Sequence, residues 1–131
     1  MNLLNLSLIE IKTLSMKDEI SNKIRLQHII ESVTEIRTAI ANETKESFIE
    51  NHILRIAVVK WIEIIGEASN HISILTKEAI PDVEWNMIIG LRHIVVHEYF
   101  GINFDIIWNI AVNDVPTLGH KIEKFINDFA K

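Results

Sequence analysis

The 131-residue sequence predicts an all-α protein, an antiparallel bundle of four to five helices around one core. Two observations carry this reading. Only 4 Gly and 2 Pro punctuate the chain, so helices can run long. Apolar residues also recur three and four apart, as in Leu26, Ile29, Val33, Ile36 and Ile40, which is the spacing of one helical face.

The elements follow in order. Residues 1–15 read as an N-terminal extension of undetermined structure, because Leu4, Leu6 and Leu8 alternate as in a strand whereas Ile11 and Leu14 suit a helix. Residues 16–131 form the single helical domain. Ser15, with Asp18 three residues on, resembles a capping box and opens a first helix ending near Asn42. Beyond the polar "NETKES", a second helix runs from near Ser47 to about Leu75, with Ile53, Ile56, Ala57, Val59, Ile62 and Ile65 as its apolar content. Gly66 inside it costs about 1 kcal/mol relative to Ala; the close approach of a neighbouring helix would account for it. Glu63, Glu67 and Asn70 share one stripe of this helix. Pro81 and Asp82 punctuate the chain, and a third helix spans about 84–99, closed by Gly101. Asn103 caps a fourth, "FDIIWNIAV", before Pro116 breaks or restarts the helix at "DVPTLGHKIEKFINDFA".

Composition removes several functions. Without cysteine there is no disulfide, thiolate metal site or Cys nucleophile. No apolar run approaches the roughly 18 residues of a membrane span, and the N-terminus lacks a basic leader and cleavage site, so a soluble, cytoplasmic protein is expected. The net charge of -5 argues against a general nucleic-acid coat, and any such site must be local.

Chemistry concentrates in the third helix, in "LRHIVVHEYF". At about 100° per residue, Trp85, Ile89, Arg92, Val96 and Tyr99 fall on one stripe, with Ile88 and Val95 beside it. His93 and His97 lie on the adjacent flank with Asn86, and Met87, Leu91 and Ile94 cover the opposite side. A helix apolar nearly all round is expected to be buried, and a buried guanidinium needs a partner. Glu63 and Glu67 are the candidate partners, more naturally structural or solvated than catalytic. A histidine pair four residues apart also suits a metal, but "HIVVH" lacks the glutamate of the zinc-protease pattern and a third ligand; no metal and no cofactor are expected. The remaining chemistry of arginine, imidazole and phenol is metal-free RNA cleavage. A base activates the ribose 2′-hydroxyl, an acid protonates the departing 5′ oxygen, and a cation holds the phosphorane. His28, His52, His71 and His120 read as isolated surface residues, and Trp61, Trp85 and Trp108 as packing residues. Arg55, Lys60 and Lys77 are minor candidates to widen a positive cleft.

Arg92, four residues, His97, one residue and Tyr99 resemble the R-x-x-x-x-H-x-Y signature of HEPN-domain ribonucleases, specifically the HepT-like toxins of HEPN/MNT toxin–antitoxin modules. "IGEASNHIS", Pro81, "WNMIIGLRHIVVHEYFGIN" and "DIIWNIAVNDVP" follow that family in order and spacing, so the resemblance spans about residues 22–130. It departs at His93, where the family most often carries Asn, and at the first 15 residues, which precede the usual family start. The resemblance implies a HEPN-like bundle that forms a homodimer with both motif copies lining one cleft at the two-fold interface. It also implies an endoribonuclease toxin acting on tRNA or mRNA, with Arg92 and His97 catalytic and His93 and Tyr99 auxiliary. An MNT-type nucleotidyltransferase antitoxin would attach AMP to Tyr99, and toxin and antitoxin would assemble into a larger hetero-oligomer. Two other classes stand beside it: a catalytically silent helical module that docks a nucleotidyltransferase, and a nucleotide- or metal-binding regulator.

Overall fold

The computed structural model describes residues 7–97 and 101–129, the side chains of 11–15, 94, 96, 97 and 129 excepted. Among the described residues there are seven α-helices: α1 (Leu8–Ile40), α2 (Lys45–Glu50), α3 (His52–Asn70), α4 (Ile74–Ala79), α5 (Trp85–His97), α6 (Phe104–Asn109) and α7 (Val115–Phe129). A π-helical turn, Ile110–Asp114, joins the last two. The all-α class is as expected. Helices α1, α3, α5 and α7 carry the expected first, second, third and last helices, the expected fourth, "FDIIWNIAV", is the short α6 with the π turn, and α2 and α4 are short connectors.

Helix α1 begins earlier than Ser15. Ser7 is its N-cap: the Ser7 Oγ accepts from the Glu10 amide at 3.2 Å, and the Glu10 carboxylate accepts from the Ser7 amide at 2.8 Å. Ser15 and Asp18 therefore lie inside a continuous 33-residue helix, about 50 Å long at 1.5 Å per residue. Leu26, Ile29, Val33, Ile36 and Ile40, the predicted face, are all buried. Earlier in the helix Met16, Ile20 and Ile24 are exposed.

The predicted second helix is three helices. Asn51 leaves the helical region at φ −95° and ψ 97°, accepts from the Leu54 amide on its side chain and donates its own N–H to the Phe48 carbonyl. It thus ends α2 and starts α3. Ser73 then caps α4 by accepting from the Thr76 amide. Within α3, Val58, Val59, Ile62 and Ile65 are buried, but Ile53 and Ile56, expected among its apolar content, are exposed.

Asn22 in the first half of α1 exchanges two 2.9 Å hydrogen bonds with Ser73, just past the end of α3. Since the other ends of these helices are joined through α2, α1 and α3 run antiparallel. Phe48 of α2, fully buried, packs against Phe104 and Trp108 at ring distances of 6.5 and 5.4 Å. Helix α7 closes the core with Leu118 and Ile122, and its Gly119 meets Val33: a Cβ there would lie 2.7 Å from Val33 Cγ1.

Of the two outcomes expected at Pro116, the helix restarts there: α7 begins at Val115. The π turn takes up the disruption: the Val115 N–H reaches back to the Ile110 carbonyl, and Pro116, lacking an N–H, occupies the second position of α7. Asn103 caps α6 as expected, accepting from the Asp105 and Ile106 amides. Among the described residues no helix is long and apolar enough to cross a membrane.

Candidate active site

Two helices build the site. Helix α5 packs most extensively on α3, and the contact is tightest at Gly66. A Cβ on Gly66 would lie 2.6 Å from the Arg92 Cβ and 3.3 Å from both its Cα and its amide nitrogen. This is the close helix approach predicted for Gly66, and it fixes the root of Arg92. The neighbouring α3 residue, Glu67, forms an ion pair with Arg92 through Nε. Its other carboxylate oxygen lies 2.8 Å from the Nε2 of His71, four residues on at the C-cap of α3.

Of the two candidate carboxylates, the structure pairs Glu67 with Arg92. Glu63 instead faces Lys60 at 3.5 Å. The hydrogen bond from His71 is the main influence holding the Glu67 carboxyl below the usual carboxylate range; partial desolvation opposes it, and the charges of Arg92, His71 and, from α1, Arg25 reinforce it. His71 is therefore not the isolated surface residue that the sequence indicated. It is exposed, but it is tied to the site. His52 likewise contacts Arg55, while His28 and His120 are exposed as expected.

The expected burial of α5 is not found. Among its described side chains only Trp85 and Val95 are buried; Met87 is 54 % exposed, and Arg92 itself is 41 % exposed. The desolvation penalty anticipated for Arg92 does not arise within the single chain. Its guanidinium lies at the surface, held by one carboxylate and still open to solvent. His93 is also exposed and has an interaction of its own. His97 ends α5 five residues after Arg92, with its side chain outside the described set, and Tyr99 lies outside the described residues altogether.

Arg55 does not join this site. It lies over the Phe104 ring, 4.7 Å from its centre, near the start of α3. Lys60 is taken up by Glu63, and Lys77 sits on α4. The tryptophans pack as expected: Trp85 is buried and donates from Nε1 to the Lys77 and Ile80 carbonyls, and Trp61 and Trp108 are half-buried against the core. A shallow depression of about 460 Å³ lies between α4 and the start of α5, lined by Ile74, Lys77, Trp85 and Met87 among others; Arg92 and Glu67 are not part of it. Among the described residues no three His, Asp or Glu side chains converge as a metal-binding group.

The sequence profile of the family described as "Ribonuclease HepT-like" matches residues 29–125. A candidate RNase of Methanocaldococcus jannaschii, MJ1380, is 38% identical over 98 residues, covering 75% of this chain and 90% of its own. A candidate RNase of Caldanaerobacter subterraneus subsp. tengcongensis, TTE0752, is 31% identical over 101 residues, covering 77% of this chain and 90% of its own. A protein of Thermococcus cleftensis named "Probable ribonuclease HepT" is 32% identical over 104 residues, covering 79% and 94%. No solved structure matches the chain.

Proposed function

Because the chain belongs to the HepT-like ribonuclease family, we propose that it is a metal-independent endoribonuclease toxin that cleaves tRNA or mRNA in the cytoplasm. The observation that carries this reading is Arg92: a guanidinium held in place by Glu67 on a tightly packed seam, yet left 41 % exposed on an uncovered helix face. A surface cation that is fixed rather than mobile can bind a phosphate in a set orientation and stabilise the charge that grows on it.

In the reaction a base removes the proton of the ribose 2′-hydroxyl, and the 2′ oxygen attacks the adjacent phosphorus. The bond to the 5′ oxygen breaks as an acid returns a proton to it, leaving a 2′,3′-cyclic phosphate and a 5′-hydroxyl. His97 serves as acid or base. Arg92 holds the phosphorane, with His93 and Tyr99 as auxiliaries. One chain carries one His97, whereas the reaction uses both an acid and a base; a homodimer with both motifs in one cleft provides two. The exposed part of α5, apolar at Met87, gives such a dimer surface to bury.

Control falls on Tyr99. An MNT-type nucleotidyltransferase partner, bound in a larger hetero-oligomer, directs the Tyr99 oxygen onto the α-phosphorus of ATP, and pyrophosphate leaves. The attached AMP adds bulk and a negative phosphodiester close to Arg92, so it competes with RNA for the cation.

The test is cleavage of total cellular RNA by the purified chain in excess chelator, followed by sequencing of the new ends. Cuts bearing 2′,3′-cyclic phosphates are expected, and a substrate with 2′-deoxyribose on the 5′ side of a cut should resist. Unimpaired cutting of the deoxy substrate, or loss of activity in chelator, would reject the mechanism.

A further inference from the structure

The geometry points to Glu67 and His71 as positioning residues for Arg92: His71 engages one carboxylate oxygen of Glu67 so that the other is turned onto Arg92 Nε, which sets the rotation of the guanidinium toward the scissile phosphate. The inference rests on the reading of Arg92 as the phosphate-binding group.

Three observations support it. The first is connectivity. Glu67 bridges the two helices, with one oxygen on His71 at the C-cap of its own helix α3 and the other on Arg92 of α5. The second is that stability does not explain the arrangement. The side chains of Arg92, Glu67 and His71 are 41 %, 42 % and 49 % exposed, and exposed ion pairs contribute little to folding. The third is the seam. Gly66 brings the backbones so close that Arg92 leaves α5 directly over Gly66, the residue before Glu67, with its Cβ fixed by the contact. What is left undetermined is the direction of the guanidinium at the end of a flexible stem, and a carboxylate on Nε restricts that direction. Contact through Nε also suits such a role, because with Nε on the carboxylate a phosphate can still be gripped end-on through the two Nη groups.

Among the described residues, the charges that lower the Glu67 carboxyl are those of Arg92 on α5, His71 at the C-cap of α3 and Arg25 on α1, and each favours the ionised carboxylate that holds Arg92. His71 can retain Glu67 as a neutral Nε2–H donor as well as a cation, so the clamp needs a hydrogen-bond donor at that place rather than a charge.

The experiment uses the full chain and an RNA that it cleaves in the assay above, with melting temperature measured on every variant. Glu67→Ala should lower kcat by about 10- to 100-fold, since small misplacements of a catalytic group cost this much. KM should stay unchanged or fall, because a carboxylate has been removed from beside the substrate phosphate. His71→Phe should lower kcat in the same way but less, whereas His71→Gln, which restores a donor, should recover most of the activity. The Arg92 Nε–H resonance should move in Glu67→Ala and His71→Phe and stay near its parental position in His71→Gln. A purely structural role would instead cost activity only to the extent that the variant is unfolded at the assay temperature, or would leave kcat untouched. Parental kcat in Glu67→Ala, or a glutamine at 71 as damaging as a phenylalanine, overturns the proposal. Arg92→Ala run in parallel separates the two readings: if it is inactive while Glu67→Ala is parental, only the positioning role falls, and if Arg92→Ala cleaves at the parental rate, the site assignment falls and this inference with it.

Discussion

Arg92 lies half-exposed on α5 with its guanidinium on the Glu67 carboxylate, so the chemistry of the site depends on how that one side chain is supported. Its place in an apolar helix called for a carboxylate partner and narrowed the choice to Glu63 or Glu67; only the packing at Gly66 selects Glu67. His71 was within reach of the same logic, since it follows Glu67 by four residues on one helix, but a lone histidine carries no mark that separates a tethered imidazole from a solvated one. Arg92→Ala and His97→Ala should each lower kcat by about 10²–10³-fold, the usual cost of losing one group that stabilises developing charge, while circular dichroism and mass remain parental. Two folded variants that cleave at the parental rate would move the site elsewhere. Tyr99→Phe, if active, should neither gain AMP from the partner and ATP nor be silenced by them, as read by intact-mass measurement; a Phe variant neutralised as readily as the parent would place control at another residue. Glu67 also leaves a signature in stability. Its carboxyl titrates below its ordinary value of 4.5, so its contribution to folding is fully present above that pH and is lost as the pH falls through the depressed folded value. Melting temperature plotted against pH should therefore show a smaller acid-side decline in Glu67→Gln than in the parent, and identical curves would contradict the assignment.

At the scale of the element, periodicity gave the face of α1 correctly because five apolar residues repeat without interruption and all five are buried. It failed between α2 and α3 for a physical reason. The apolar pattern continues across Asn51, and the break consists of one side chain accepting one amide, a signal one residue wide. It failed for α5 for another. Hydrophobic spacing records which surface avoids water, not whether the same chain covers it, and here much of that surface remains exposed. Two glycines make an element-scale prediction with opposite signs. Gly66→Ala forces a Cβ into the α3–α5 contact and should destabilise by about 1–3 kcal/mol, the usual cost of overpacking, with loss of cleavage as Arg92 is displaced. Gly90→Ala lies in α5 with nothing within 4 Å of the new atom and should raise single-chain stability by up to about 1 kcal/mol through helix propensity. Chemical denaturation of the two variants reads both signs, and a stabilised Gly66→Ala would refute the close contact.

For the whole molecule, the incomplete cover of α5 and the need for two histidines lead to one expectation: mass and activity should change together on dilution. Analytical ultracentrifugation should show a dimer, and cleavage per chain should fall across the same concentration range in which the dimer dissociates. A dilute monomer with full specific activity would refute a shared cleft. The bundle itself was legible from the sequence because long helices with few breakers leave few ways to bury their stripes, whereas the site was legible only as a set of candidates, since its parts come from α3 and α5 and meet through packing. The seam at Gly66 has a consequence for how this protein can vary. Where two backbones already touch, there is no room to adjust the reactive arginine by changing residue size from behind, so substitutions there act as switches and not as dials. Gradual tuning of the reaction is left to positions that point away from the seam, and His93, exposed and next to Arg92 in the chain, is the first of these.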